Sequence, residues 1–149
     1  MEDLEPQYRP LTFAEEIANG ISHGVGLLLA LVAIPFLLLP AIEAGRVRFI
    51  VGVSVFGATV ILLYLASTLY HSITHEAAKR IFRLFDHTAI FLLIAGSYTP
   101  FALGVLRGPW GWSLLAVIWA LAILGITLKI SVRTRYSRIA RSAGASSRR

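Results

Sequence analysis

The chain has 149 residues, 56% of them hydrophobic and only 15% charged, with a net charge of +6 and no cysteine; its mean hydropathy is +0.72. A soluble domain of this size needs more charged surface than that, and without thiols disulfides and thiolate metal sites are both excluded. The basic residues fall between apolar runs and near the end of the chain, with no aromatic-interleaved basic groove, a pattern of membrane topology and not of nucleic-acid binding.

The chain opens Met1-Glu2-Asp3-Leu4-Glu5-Pro6, acidic where a cleavable signal peptide is basic, so the first apolar run reads as a retained anchor. Residues 17–42, 49–75, 87–106 and 108–128 carry no formal charge. Crossing a hydrocarbon core of about 30 Å takes roughly 20 helical residues at about 1.5 Å each. All four runs reach that length, and in lipid each must satisfy its own backbone as a helix. Helices are expected at 21–42, 49–71, 87–106 and 110–130. Pro35 and Pro40 are expected to kink the first, and Pro100 to kink or shorten the third.

Between the second and third runs, Ile81, Phe82, Leu84 and Phe85 alternate with Lys79, Arg80 and Arg83, so 76–85 reads as a short interfacial helix of its own. Arg107-Gly108-Pro109 reads as a tight turn, and Trp110 and Trp112 sit where an interfacial aromatic belt would hold them. Residues 131–149 are rich in Arg, Ser, Ala and Gly and read as a disordered tail resting on anionic headgroups. The expected fold class is all-α, a polytopic transmembrane helix bundle with four spans. It divides into an N-terminal segment 1–16, a membrane domain 17–130 and a basic tail 131–149.

Orientation follows from the cations. Arg9, the cluster Lys79, Arg80 and Arg83, and the seven Lys and Arg from Lys129 onward fall on one side; only Arg46, Arg48 and Arg107 fall on the other. The positive-inside bias places both termini in the cytoplasm, in the inner (plasma) membrane.

Chemistry-bearing residues gather at that same side. His23, His71, His75 and His87 each fall near the cytoplasmic end of an expected helix, as do Glu16, Asn19 and Asp86; ionisable groups at membrane depth are costly and mark function. Glu16, Asn19 and His23 follow i, i+3, i+7 and share one helix face; Ser67 and His71, four apart, share another. Asp86 opens the third run. Three polar faces at one depth would suit a hydrated pocket or a zinc held by imidazole and carboxylate. The same residues also read as interfacial polar groups, with Glu16 and Asn19 as a helix cap or an inter-helix hydrogen bond. Gly20 and Gly24 form a small-xxx-small pair suited to close helix packing.

These motifs resemble a known family. Glu16-Ile17-Ala18-Asn19-Gly20-Ile21-Ser22-His23 looks like its E-x2-N-x3-H motif, and Ser67-Thr68-Leu69-Tyr70-His71 like its S-x3-H motif. Phe85-Asp86-His87-Thr88-Ala89-Ile90-Phe91 through Gly96-Ser97-Tyr98-Thr99-Pro100-Phe101 looks like its third-helix signature. The family is hemolysin III, the bacterial branch of the progestin and adipoQ receptor superfamily. The resemblance implies seven helices with a cytoplasmic N-terminus and a zinc ion near the cytoplasmic face. It implies His71 as a zinc ligand, Asp86 as the residue holding the zinc-bound water, and Ser67 as a polar support. Two further ligands in the family come from an H-x3-H motif on its last helix. It further implies hydrolysis of lipid amides such as ceramide, with a catalytic role for Asp86 and Ser67.

The sequence departs from that pattern: no H-x3-H follows the fourth run, and His71 and His75 have that spacing but lie on the second. The chain therefore reads as a truncated member, with His75, His87 or His23 as the only substitutes for the missing ligands. The expected partners are membrane lipids, a lipid substrate and further copies of the chain. Two rival readings stand beside the hydrolase: a pore-forming cytolytic protein without catalysis, and an inactive fragment.

Overall fold

A computed structural model describes residues 11–106 and 108–146, with side chains at all of them except 133 and 135–146. Four helices follow one another: α1 (Phe13–Glu43), α2 (Val47–Ser72), α3 (Glu76–Gly104) and α4 (Pro109–Ser146). All four are long and apolar enough to cross a membrane, α4 over Pro109–Val132. The four expected spans are all present, so the chain is an all-helical, multi-pass membrane protein.

The helices begin and end elsewhere than apolarity alone suggests. α1 starts at Phe13, because Thr12 caps it: the Thr12 hydroxyl accepts from the Glu15 N–H at 3.3 Å, and the Glu15 carboxylate accepts from the Thr12 N–H at 2.8 Å. Glu16 is thereby a helical residue in the first turn. Pro35 and Pro40 lie inside α1, and Pro100 lies inside α3 without ending it. The separate interfacial helix at 76–85 is not found; those residues are the first turns of α3, which runs unbroken into the span. His75 caps that start, its Nδ1 accepting from the Ala78 N–H at 3.4 Å.

Gly108 has φ +75° and Pro109 begins α4, where a missing N–H costs nothing. Arg107, the other member of the expected turn, lies outside the described residues, as do 1–10 and 147–149. Over 131–146 the backbone continues as helix, where the sequence reads as a disordered tail. Arg and Ala are strong helix formers, and no proline follows Pro109 to stop a helix already nucleated.

The packing is serial. α1 packs on α2, α2 on α3 and α3 on α4; among the described residues α1 touches neither α3 nor α4 through its backbone neighbours, and α2 does not reach α4. The four helices form an open row. Its seams are lined by small residues: Gly52, Gly57 and Ala66 on α2; Ala89, Ala95, Gly96 and Ala102 on α3. Small residues let membrane helices approach closely. At Gly52 a Cβ would come within 2.5 Å of Pro100 Cα, so only glycine allows this approach of α2 to α3. The outer faces carry Phe13, Phe36 and Trp110 at more than 70% exposure, a surface for acyl chains and not for water.

Inside the seams, hydroxyls are satisfied locally. Thr59, Thr68, Thr88 and Thr99 each donate to a carbonyl three or four residues back in their own helix. Thr99 Oγ1 also accepts from Trp119 Nε1 at 3.2 Å, tying α3 to α4.

Candidate functional site

At the end of the row where α1 begins, α2 ends and α3 begins, three side chains from three helices meet. Glu16 of α1 accepts from His71 Nδ1 of α2 at 2.8 Å through Oε2, and from Lys79 Nζ of α3 at 2.9 Å through Oε1. The exposure of the His71 and Glu16 side chains is 9% and 17%, so both groups are largely withdrawn from solvent. Such a carboxylate is stable there because each oxygen takes a charged or polarised donor.

The geometry fixes the imidazole. A carboxylate paired to an ammonium can only accept, so His71 Nδ1 carries the proton. In the neutral ring Nε2 then keeps its lone pair, the arrangement in which a carboxylate orients a histidine for a metal or a proton. Aromatic contacts hold the ring further. Tyr70 lies 4.5 Å away between centroids, and His23 lies parallel to it at 5.8 Å, with a 3° angle between planes. His23 also contacts Tyr64 at 6.0 Å. Gly20 faces this corner, and a Cβ there would sit 3.7 Å from His71 Cβ. The expected Gly20–Gly24 face therefore is the α1 surface that approaches α2. A cavity of about 480 Å³ opens beside the network, lined by Glu16, Gly20, His71, Ser72, Thr74 and Lys79.

The remaining sequence candidates are distributed as follows. Ser67, one turn before His71, is 2% exposed in the α2 seam. Asn19 and His23 are half-buried on α1, and the Asn19 carbonyl accepts from Ser22 Oγ at 3.0 Å. Asp86 on α3 lies with its Oδ2 3.5 Å from His87 Nδ1; His87 Nδ1 donates to the Arg83 carbonyl at 2.8 Å. His75 is exposed and occupied in the α3 cap. Lys79 is the member that sequence reasoning missed as a site residue, reading it as one topology charge among several. Its only signal is its depth, matching that of Glu16 at the same face of the membrane.

Among the described residues, no three His, Cys, Asp or Glu side chains converge into a group able to hold a metal ion.

The comparisons with known proteins follow the same residues. The family described as "Haemolysin-III related" matches residues 11–144. The "Hemolysin-3 homolog" of Bacillus subtilis (strain 168) is 50% identical over 125 residues, which is 84% of this chain and 59% of that protein. The "Hemolysin-3" of Bacillus cereus is 51% identical over 122 residues, 82% of this chain and 56% of that protein. The chain thus spans less than two thirds of the length of these curated relatives. No solved structure gives a significant match.

Proposed function

Because this chain belongs to the haemolysin-III-related family, we propose that it carries part of a membrane-embedded hydrolytic site for lipid amides, centred on His71 at the cytoplasmic face. The observation that carries the reading is the Glu16–His71 pair: a half-buried carboxylate that bonds Nδ1 and leaves Nε2 presented. Glu16 orients the ring, Lys79 neutralises Glu16, and His71 Nε2 is the position for a zinc ligand. A bound zinc would supply a Lewis acid and a water of lowered pKa. The described residues provide one ligand and not a set, so no hydrolytic step is assigned to this chain alone. Ser67, one turn before His71 on α2, and Asp86 on α3 are the further residues assigned to such a site, as a support and a proton acceptor respectively.

The membrane is the inner (plasma) membrane, with both termini on the cytoplasmic side, on the strength of the Lys and Arg asymmetry. The pore reading has less support. A water path needs polar groups along its length, whereas the ion-pairing residues lie at one end of the row and the buried threonines spend their hydroxyls on their own helices.

The test is the zinc content of the purified chain. His71→Ala is expected to lower bound zinc and Glu16→Gln to weaken it about 10–100-fold, as for other residues that orient a metal ligand. Equal zinc in the parent and His71→Ala would remove His71 as a ligand.

A further inference from the structure

A second cluster lies apart from the Glu16–His71 network, in the groove between α3 and α4. A cleft of about 810 Å³ opens there, predominantly apolar, with Phe91, Gly125 and Leu128 on its apolar side and Arg83, His87 and Lys129 as its polar members. Phe91 and Gly125 are at one level: a Cβ on Gly125 would sit 2.6 Å from the Phe91 ring. From that level Arg83 is eight residues back along α3, about 12 Å, and Lys129 four residues on along α4, about 6 Å. Neighbouring spans joined by a short turn run antiparallel, so both cations lie toward the same end. The cleft is therefore graded in charge: its inner level at Phe91 and Gly125 is apolar, and toward the surface Arg83 and Lys129 stand among Leu84, Leu128 and Val132.

That gradient has the shape of one kind of ligand. We propose that the cleft binds an anionic phospholipid of the adjoining leaflet, with an acyl chain along Phe91, Gly125 and Leu128 and its phosphate held by Arg83 and Lys129. His87 adds a ring N–H or acceptor beside them; its acidic neighbour Asp86 is not among the lining residues. A soluble anion would leave the apolar length uncovered. A second copy of the chain in a two-fold contact would set Arg83 and Lys129 against themselves, which the like charges oppose. The proposal is independent of the hydrolase reading, since no residue of the Glu16–His71–Lys79 network lines this cleft.

The experiment reconstitutes the full chain into vesicles of equal parts phosphatidylglycerol and phosphatidylcholine, re-extracts it in mild detergent and measures retained lipid by mass spectrometry. One cation at an anionic headgroup is worth about fivefold, so with two of them phosphatidylglycerol is expected to be preferred about twenty-five-fold. Arg83→Gln with Lys129→Gln abolishes the preference, and Arg83→Lys with Lys129→Arg keeps it. Arg46→Gln with Arg48→Gln, which removes the same charge at the other end of the helices, leaves it unchanged. Should the neutralised protein fail to fold, Leu128→Trp, which fills the cleft without altering charge, is expected to expel the lipid. Retention of phosphatidylglycerol by a folded Leu128→Trp protein, or equal preference in the neutralised one, would overturn the proposal. So would an equal loss in the Arg46/Arg48 variant. Because the chain has no native cysteine, Leu128→Cys gives a further reading: disulfide-linked dimers in vesicles would place a second copy in the cleft and reject the lipid.

Discussion

Glu16 on α1 and His71 on α2 are 55 residues apart in the chain and 2.8 Å apart in the fold. This contact ties the first motif to the second, and through it the acidic residue sets which nitrogen of His71 carries the shared proton. Lys79 closes the network from α3 at 2.9 Å. The first three helices of the row are thus joined by charge at one end and by small-residue packing along their length.

The energetic coupling of that pair is measurable. Glu16→Gln and His71→Gln are each expected to destabilise the protein by about 1–3 kcal/mol, the range for a lost hydrogen bond to a charged group or a stranded partner. In a double-mutant cycle, followed by unfolding in mixed micelles, the two losses should not add; a coupling of about 0.5–3 kcal/mol is expected for residues in contact. Strict additivity would mean that the two side chains do not meet.

Helix packing makes an opposite pair of predictions for two glycines. Gly52→Val drives a side chain into the Pro100 backbone, which cannot yield, and should cost at least about 1–3 kcal/mol of overpacking. Gly24→Ala meets only Thr68 Cγ2, at 3.8 Å. It should be neutral or stabilising by up to about 1 kcal/mol, because alanine is the better helix former. The same micelle unfolding assay checks both, and a Gly52→Val protein as stable as the parent would refute the close α2–α3 approach.

The capping box at Thr12 holds the first turn of α1, and Glu16 lies in that turn. Thr12→Ala should cost about 1 kcal/mol and raise amide hydrogen exchange at residues 13–16. Exchange elsewhere in α1 should be unchanged. Unaltered exchange at 13–16 would mean that the cap does not hold the turn.

These elements differ in how far the sequence discloses them. The four spans are legible because lipid imposes long charge-free runs, and the Glu16–Asn19–His23 face is legible because helical spacing is periodic. The start of α3 at Glu76 is not, since Lys79, Arg80 and Arg83 make its first turns too polar for an apolarity criterion; the side-chain cap at His75 is what marks it. The start of α1 is readable from Thr12 and Glu15 spaced as a capping box, but the apolar run alone points to Ile21. The meeting of Glu16 with Lys79 is fixed by how α3 turns back against α2, which brings the long Lys79 side chain within reach of α1 and which no local spacing encodes. The open, serial order of the row is likewise a property of packing and not of pattern.

The α3–α4 seam offers a polar probe. Trp119→Phe removes the indole N–H that Thr99 Oγ1 accepts at 3.2 Å and keeps most of the aromatic volume. Inter-helix hydrogen bonds within membranes average about 0.6 kcal/mol, so a destabilisation of that order is expected in the micelle assay. No change in stability would show that the bond contributes nothing to joining α3 and α4.

The central claim is that Glu16 fixes His71 with its proton on Nδ1. Nitrogen-15 spectra of histidine-labelled protein in lipid nanodiscs at alkaline pH read this directly. The account predicts that the His71 signals have Nδ1 protonated and Nε2 bare, and that Glu16→Gln shifts them toward the Nε2-protonated form usual for free imidazole. A His71 ring already protonated at Nε2 in the parent, with signals indifferent to Glu16→Gln, would contradict it.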